Sequence, residues 1–406
     1  MLNAKQEREL AYIVVIDDIL PIDGADRVEQ AVVGGWHVMV RKNQFKVGDP
    51  AIYFEIDSKV PEIEVFEFLA PKHYKIKTQK YFKGTVISQG LLMHAEDFGW
   101  EIIKDVCGNP AIRDDMGVTH MTHDESRFLT QKLGVVYAEA SDNVRKAASA
   151  DKYKAMAQRN GKLFSHQPFR WLMRREWGKK FLFLFFGKKK DKRNWPSWVM
   201  KTDEERIQNM PWILKEKTPW IVTEKIDGTS TTFTIKRKPF GFDFYVCSRN
   251  VVFNKSDKEC FYDTNVYLEM AQKYDIKNKM IQMMKNEFSK CDWLTIQGET
   301  FGPGIQKRDY SIKEHDFRAF NLIDSMGGRW NTLNMKLCLE DKYNIPCVPI
   351  IDAKFVLPDT VDELLDYATG KSTFDGKLRE GFVFRSEDGK KSFKAVSNEY
   401  LMKFHQ

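Results

Sequence analysis

Lys225, Asp227 and Gly228 follow directly on the apolar run Trp220-Ile221-Val222-Thr223 and form a Lys-x-Asp-Gly element. A lysine so placed could attack a nucleotide's α-phosphate and carry the nucleotide covalently, provided its amine is neutral at the moment of attack. Nearby cations or a bound metal would have to hold its pKa down, and an acid such as Asp227 would organise that metal. A glycine just past a strand lets backbone approach a phosphate where a Cβ would clash. Three fixed positions recur by chance in about one chain in ten of this length. The element therefore competes with a plain surface turn until its neighbours are weighed.

Those neighbours form an ordered series. Ser248-Arg249-Asn250 closes the alternating segment 243–247, and Gln297-Gly298-Glu299-Thr300 follows an apolar run. Phe317-Arg318-Ala319-Phe320-Asn321-Leu322 reads as a buried strand. Glu380-Gly381-Phe382-Val383-Phe384 is another, opened by a carboxylate and a glycine, and Lys391-Ser392-Phe393-Lys394 comes last. Carboxylates on separate segments offer the hard oxygen ligands that favour Mg²⁺.

In this order the segments resemble the covalent nucleotidyltransferases, the superfamily of ligases and messenger-RNA capping enzymes. The resemblance implies Lys225 as nucleophile, with Asp227 and Glu380 around a Mg²⁺ or Mn²⁺ ion and Glu299 on the ribose. It implies ATP as the cofactor, Phe320 stacked on its base, and Lys394 neutralising the α-phosphate. Arg249 and Asn250 match phosphate-holding positions, and Glu224 and Gly228, flanking the lysine motif, are assigned to the nucleotide. Taken singly, Phe320 also reads as plain core and Arg249 as a solvated strand end. Two departures stand out: Asn321 occupies a position where many relatives have Asp, and Val396 one where many have a second lysine. Lys391 would then cover only part of that second lysine's role.

The elements that must position these residues are legible in outline. At 406 residues, two or three domains are expected, and a 42% hydrophobic share permits substantial cores. The formal net charge of +7 suits a polyanionic partner. Six cysteines without C-x-x-C spacing, no apolar leader and no run of membrane-spanning length predict a reducing, cytoplasmic setting and no membrane span. Residues 1–100 read as all-β: a strand from Ala11 to Ile19, a hairpin turning at Gly34-Gly35, and further strands at Ala51–Ile56, Tyr74–Lys77 and Gly84–Met93. That count suits an OB-type barrel, whose exposed face commonly holds oligonucleotides. Lys75, Lys77, Lys80 and Lys83, interleaved with Tyr81 and Phe82, would suit a groove that tracks a nucleic-acid backbone, the competing reading being a solvated basic edge.

Pro21–Val28, Gly35-Trp36, Phe45–Asp49 and Ile87–Leu91 are similar to the N-terminal OB domain of one branch, the Deinococcus–Naegleria type of ATP-dependent RNA ligase. Lys201–Asn209 also matches the branch's lead-in to the lysine motif; Thr202 with Glu205 forms a capping box and predicts a short helix. Only twelve residues follow Lys394, which leaves no room for the trailing OB domain of capping enzymes and DNA ligases. The expected fold class is therefore α+β: an OB-type β-barrel over 1–100, a basic, aromatic-rich insert over 101–195, and an ATP-grasp-like nucleotidyltransferase domain over 196–406 with antiparallel sheets and flanking helices. The implied activity joins an RNA 3′-OH to a 5′-phosphate through lysyl-AMP, with RNA or a nicked RNA/DNA duplex as partner. A capping-type guanylyltransferase, an ATP-dependent DNA ligase and an inactive nucleic-acid-binding relative remain as alternatives. Within the insert, Ser141–Arg159 reads as helical. Phe181–Phe186 reads first as packing on the catalytic domain, ahead of nucleic-acid or interfacial membrane contact. Helices are expected at Asn331–Tyr343 and at Val361–Ala368, the latter capped by Thr360 with Glu363.

Overall fold

The computed structural model describes residues 1–3, 7–104, 108, 110–113, 119–120, 128–138, 165–186, 195–201, 203–253, 262 and 264–404. Residues 1–136 and 195–406 form one compact unit and residues 137–194 a second.

The N-terminal part is a barrel of short antiparallel strands. Val28–Val33 pairs with Trp36–Arg41, so that Val33 faces Trp36 across a two-residue turn. Gly34 and Gly35 both take positive φ, 54° and 78°, the backbone that a tight hairpin requires and that glycine adopts without strain. The strand expected from Ala11 to Ile19 is two strands, Ala11–Val15 and Asp18–Pro21. Between them the Ile16 and Asp17 N–H groups bond to Asp49 and Val32 respectively, which carries the chain from one sheet to the other. Alternating side chains fill the interior: Tyr12, Trp36, Val38 and Tyr53 in one cluster, Ile13, Ile52, Phe54 and Phe66 in another. Ile112, Leu129 and Leu133 join the second cluster, so packing on the barrel side continues past residue 100.

The C-terminal part carries two antiparallel sheets. One orders Ile350–Phe355, Trp220–Lys225, Gly381–Ser386 and Ser392–Val396. The other is six-stranded, with Thr229–Arg237, Trp293–Phe301 and Asp316–Asp324 at its centre. Helices Val266–Lys273 and Ile276–Lys285 cover this second sheet with the buried methionines Met270, Met280, Met283 and Met284. Helix Val361–Ala368 forms as expected, with a reciprocal capping box between Thr360 and Glu363. The helix expected over Asn331–Tyr343 begins at Thr332 and widens to a π-turn over Leu337–Lys342. In the lead-in, residues 203–205 belong to no helix or strand and a 3₁₀ turn spans Ile207–Asn209. No α-helix forms over residues 203–209 because Lys394 N–H bonds to the Glu205 carbonyl and Arg206 bridges Lys394, which draws this segment alongside the last strand. Thr202 lies outside the described residues.

Barrel and catalytic sheets meet at several points. Leu2 N–H bonds to the Asn209 carbonyl. The Gly34-Gly35 turn lies against helix Val361–Ala368 so closely that a Cβ on Gly35 would fall 2.5 Å from Val361 Cγ1. Ile87 of the barrel packs with Val396 and Leu401, the latter on the C-terminal helix Asn398–Phe404.

In the second unit, helices Gln167–Met173 and Glu176–Phe186 pack around Leu182, with Phe169, Leu172 and Met173 against it. Trp171, Trp177 and Phe181 stay about half exposed. Ser141–Arg159 and Gly187–Lys190 lie outside the described residues. Among the described residues no helix is long and apolar enough to cross a membrane.

Candidate active site

Lys225 ends its strand opposite Gly381 of the neighbouring strand. Gly381 holds φ at +153°, and a Cβ there would lie 2.1 Å from the Ala395 carbonyl oxygen, so only glycine fits. The residue before it, Glu380, is thereby turned toward the lysine: Glu380 Oε2 accepts from Lys225 Nζ at 2.7 Å. Glu299, on strand Trp293–Phe301, completes the surround. Burial pushes the Glu299 carboxyl up to about 8 against the pull of Lys225, with the Glu380 and Asp227 charges adding to the rise.

Burial alone would lower the Lys225 ammonium, but Glu380, Glu299 and Asp227 together hold it above the ordinary lysine range. The chemistry of attack demands the opposite direction. The difference is electrostatic: Glu380, Glu299 and Asp227 converge on one cation, and their combined pull outweighs burial. Binding of positive charge at the carboxylates is what would release the amine. The donor set is all oxygen, which fits a hard divalent cation. Yet among the described residues no cluster of three His, Cys, Asp or Glu side chains could by itself hold a metal, so such an ion would keep much of its water shell.

Asp227 is fixed from two sides. Its N–H donates to the Tyr310 hydroxyl at 2.6 Å, and its Oδ2 accepts from the Tyr400 hydroxyl at 2.7 Å. Tyr400 sits on the C-terminal helix, which also packs on the barrel. Next to Asp227, the Gly228 carbonyl accepts from Gln306 Nε2 at 3.0 Å, and a Cβ at Gly228 would meet the Thr300 carbonyl at 2.3 Å. Neither tyrosine falls in a recognisable motif, and sequence reading passes over both.

Lys394 lies on the strand next to Glu380 and Gly381, paired with Val383. Burial first, then the Arg206 guanidinium, lowers its ammonium to about 8. Its Nζ is 3.5 Å from Asp203 Oδ1, and Asp203 Oδ2 is paired with Arg249. One lead-in carboxylate thus joins both cations that the sequence assigns to phosphate. Asn250 is exposed beside Arg249.

The remaining predicted residues divide. Phe320 is half-buried against Ile226, Phe301, Tyr310 and Val348, with the Arg385 guanidinium 5.9 Å from its ring. Glu224 is buried, and its carboxylate is taken up by Ser372 Oγ, Thr373 N–H and Thr373 Oγ1, so it pins the 372–373 turn. Asn321 Nδ2 donates to Gln297 Oε1 at 3.0 Å, within the sheet. Lys391 pairs with Glu216 at 2.6 Å, half exposed. On the barrel, Lys77 and Lys83 are exposed and Lys75 half-buried, whereas Lys80 Nζ donates to the Met402 carbonyl at 2.6 Å.

A lysine at the end of a sheet strand, faced by an acid just ahead of the neighbouring strand, another on the second sheet and a half-buried lysine from the last strand, is the arrangement expected of a covalent nucleotidyltransferase. A family model described as RNA ligase matches residues 218–396, and one described as an OB-fold domain matches residues 10–95. No curated protein matches the chain. Among solved structures, it is similar to a Naegleria gruberi RNA ligase mutant with AMP and Mn, at 25% identity and TM-score 0.64, over 98% of this chain and 99% of that one. It is likewise similar to another mutant of that ligase with ATP and Mn (25%, TM-score 0.62, 98% of each chain) and to that ligase with PPi (25%, 0.62, 98% and 99%). Residues 218–396 thus carry an RNA ligase domain and residues 10–95 an OB-fold domain ahead of it.

Proposed function

We propose that the protein is an ATP-dependent RNA ligase that seals 5′-phosphate to 3′-hydroxyl ends at nicks in duplexes. The observation that carries the reading is the convergence of Lys225 with Glu380, Glu299 and Asp227, with Lys394 nearby on the adjoining strand. The neighbouring Naegleria gruberi structures, with ATP, AMP, Mn and PPi, support the choice of nucleotide and of a divalent ion.

In the first step the neutral Lys225 amine attacks the α-phosphorus of ATP; a P–N bond forms, and the bond to the β-phosphate oxygen breaks to release pyrophosphate. Glu380, 2.7 Å from Nζ, is placed to hold the departing proton. Lys394 and Arg249 would balance the negative charge that builds on the α-phosphate. Phe320 would receive one face of the adenine, with Arg385 near its ring. Glu380 and Asp227 would hold a divalent cation, which when bound supplies polarisation of the phosphoryl oxygens. AMP then passes to the 5′-phosphate of a polynucleotide, forming a phosphoanhydride and freeing Lys225. An RNA 3′-hydroxyl finally attacks that phosphate, AMP leaves, and the phosphodiester is formed.

The test is incubation with ATP labelled at the α-phosphate and Mg²⁺ or Mn²⁺. Wild type should retain label and Lys225→Ala none. Equal label on both would remove the mechanism, and label from GTP instead of ATP would assign a capping-type guanylyltransferase. Nicked duplexes with RNA or DNA on each side of the break then read strand preference.

A further inference from the structure

A second basic feature lies apart from Lys225 and was not foreseen from the sequence. A cavity of about 300 Å³ opens between the loop 304–309 and the C-terminal helix, lined by Gln306, Lys307, Arg308, Asp309, Lys377 and Phe404. Gln306, which donates to the Gly228 carbonyl, ties it to the lysine motif. Arg308 is 4% exposed, yet its Nε and Nη1 have no hydrogen-bond partner. Its Nη2 pairs with Asp375 Oδ1 at 2.7 Å, and Tyr310 covers it at 4.3 Å. Leaving two buried guanidinium nitrogens unsatisfied is costly, and a site that receives an anion offsets such a cost.

The charges around Arg308 are positive in excess. Lys307 and Lys377 are exposed, with no ion pair among the described residues. Lys80 reaches over from the barrel to the Met402 carbonyl, and burial together with Lys307 lowers its ammonium. Like charges brought together repel, and a polyanion relieves that repulsion. Counting the carboxylates Asp309 and Asp375 against Lys80, Lys307, Arg308 and Lys377 still leaves positive charge in excess. Phe404 supplies an apolar wall of the kind on which a sugar or base can rest.

We infer that this cavity is a polynucleotide subsite, where Lys307, Lys377 and Arg308 of the catalytic domain and Lys80 of the barrel receive the phosphate backbone next to the reacting end. The inference rests on the RNA ligase reading and gives that ligase its nucleic-acid track. The triphosphate of ATP carries the same chemistry. The cations assigned to the α-phosphate, however, lie on the last strand and after Cys247, whereas this cavity adjoins the barrel. A track shared by both domains suits a strand longer than one nucleotide.

The experiment uses the full chain and a fluorescent nicked RNA duplex bearing a 5′-phosphate, with binding read by anisotropy from 50 to 200 mM KCl. Lys307→Ala/Lys377→Ala should weaken binding roughly tenfold at 50 mM salt, and the slope of log Kd on log salt should fall by about 1.5 to 2, the value for two lost phosphate contacts. Lysyl-AMP formation from ATP should be unchanged, and Lys307→Arg/Lys377→Arg should restore binding. Unaltered Kd and slope in the alanine variant would overturn the inference. So would slower lysyl-AMP formation with duplex binding intact, which would give the cavity to the ATP tail. Failure of the wild type to form lysyl-AMP would count against the ligase reading alone, because the binding arm reads the surface independently.

Discussion

Lys225 Nζ and Glu380 Oε2 lie 2.7 Å apart because their strands pair in a register that sets Lys225 opposite Gly381. Among these carboxylates the nucleophile is held as an ammonium. Replacing Glu380 by Gln removes one of the charges that hold the proton on. Lys225 should then become more reactive toward a small amine-directed reagent at pH 8, read by mass spectrometry of the modified peptide. Adenylylation of the same variant should nevertheless fall, by roughly 100-fold, since an electrostatic group at the reacting centre is lost. Unchanged labelling of Lys225 would mean that Glu380 does not set its protonation.

Glu299 gives a pH dependence of definite sign. Its carboxyl rises from 4.5 to about 8 on folding, with burial the largest cause. Between those values the folded chain keeps a proton that the unfolded chain releases, so stability is greatest below the window and declines as pH rises through it. Glu299→Gln cannot ionise and should escape the decline. Its melting temperature should exceed that of wild type by several degrees at pH 9, where about 1 kcal/mol corresponds to roughly 2–4 °C in domains of 150–250 residues. At pH 5 the two should nearly coincide. An equal difference at both pH values would show that packing, and not ionisation, sets the change.

Much of this site was legible in the sequence because its residues belong to short strands that end in chemistry. Lys225, Glu299, Glu380 and Lys394 were singled out by ordered segments that resemble the covalent nucleotidyltransferases, whereas the Gly34-Gly35 turn and the Thr360 cap follow from local turn and capping chemistry. What the sequence withheld is the work of contacts distant along the chain. Tyr400 reaches Asp227 across 173 positions. Lead-in residues that would begin a helix in isolation are instead drawn alongside the last strand by Lys394. The direction of the Lys225 shift was hidden for the same reason, since it depends on how many carboxylates surround the amine.

Tyr400 holds Asp227 through its hydroxyl. Tyr400→Phe keeps the ring, buried in the wild type, and removes only the hydroxyl, so stability should drop by about 1.5–3 kcal/mol, the cost of one hydrogen bond to a charged group. Adenylylation should slow by about tenfold if the carboxylate's orientation is what matters. The decisive comparison is a double-mutant cycle with Asp227→Asn. The two losses should be strongly non-additive, because both changes disable one contact. Additive losses would reduce Tyr400 to a packing residue.

Asp203 sets its two oxygens toward Arg249 and Lys394, the cations assigned to the phosphate. A carboxylate in that position competes with an incoming phosphate. Asp203→Asn should accordingly raise the affinity for ATP at pH 7, and by only about two- to fivefold, because exposed ion pairs are worth ~0.2–1 kcal/mol. The gain depends on the Lys394 charge. Lys394 titrates near 8, with Asp203 among the groups that raise it. In the variant its pKa falls further, so above that pH the free enzyme presents a neutral amine. The advantage should then shrink by pH 9, which calorimetric titration with ATP at the two pH values would register. Weaker ATP binding at both pH values would make Asp203 a support that aligns the two cations, and would exclude competition with the phosphate.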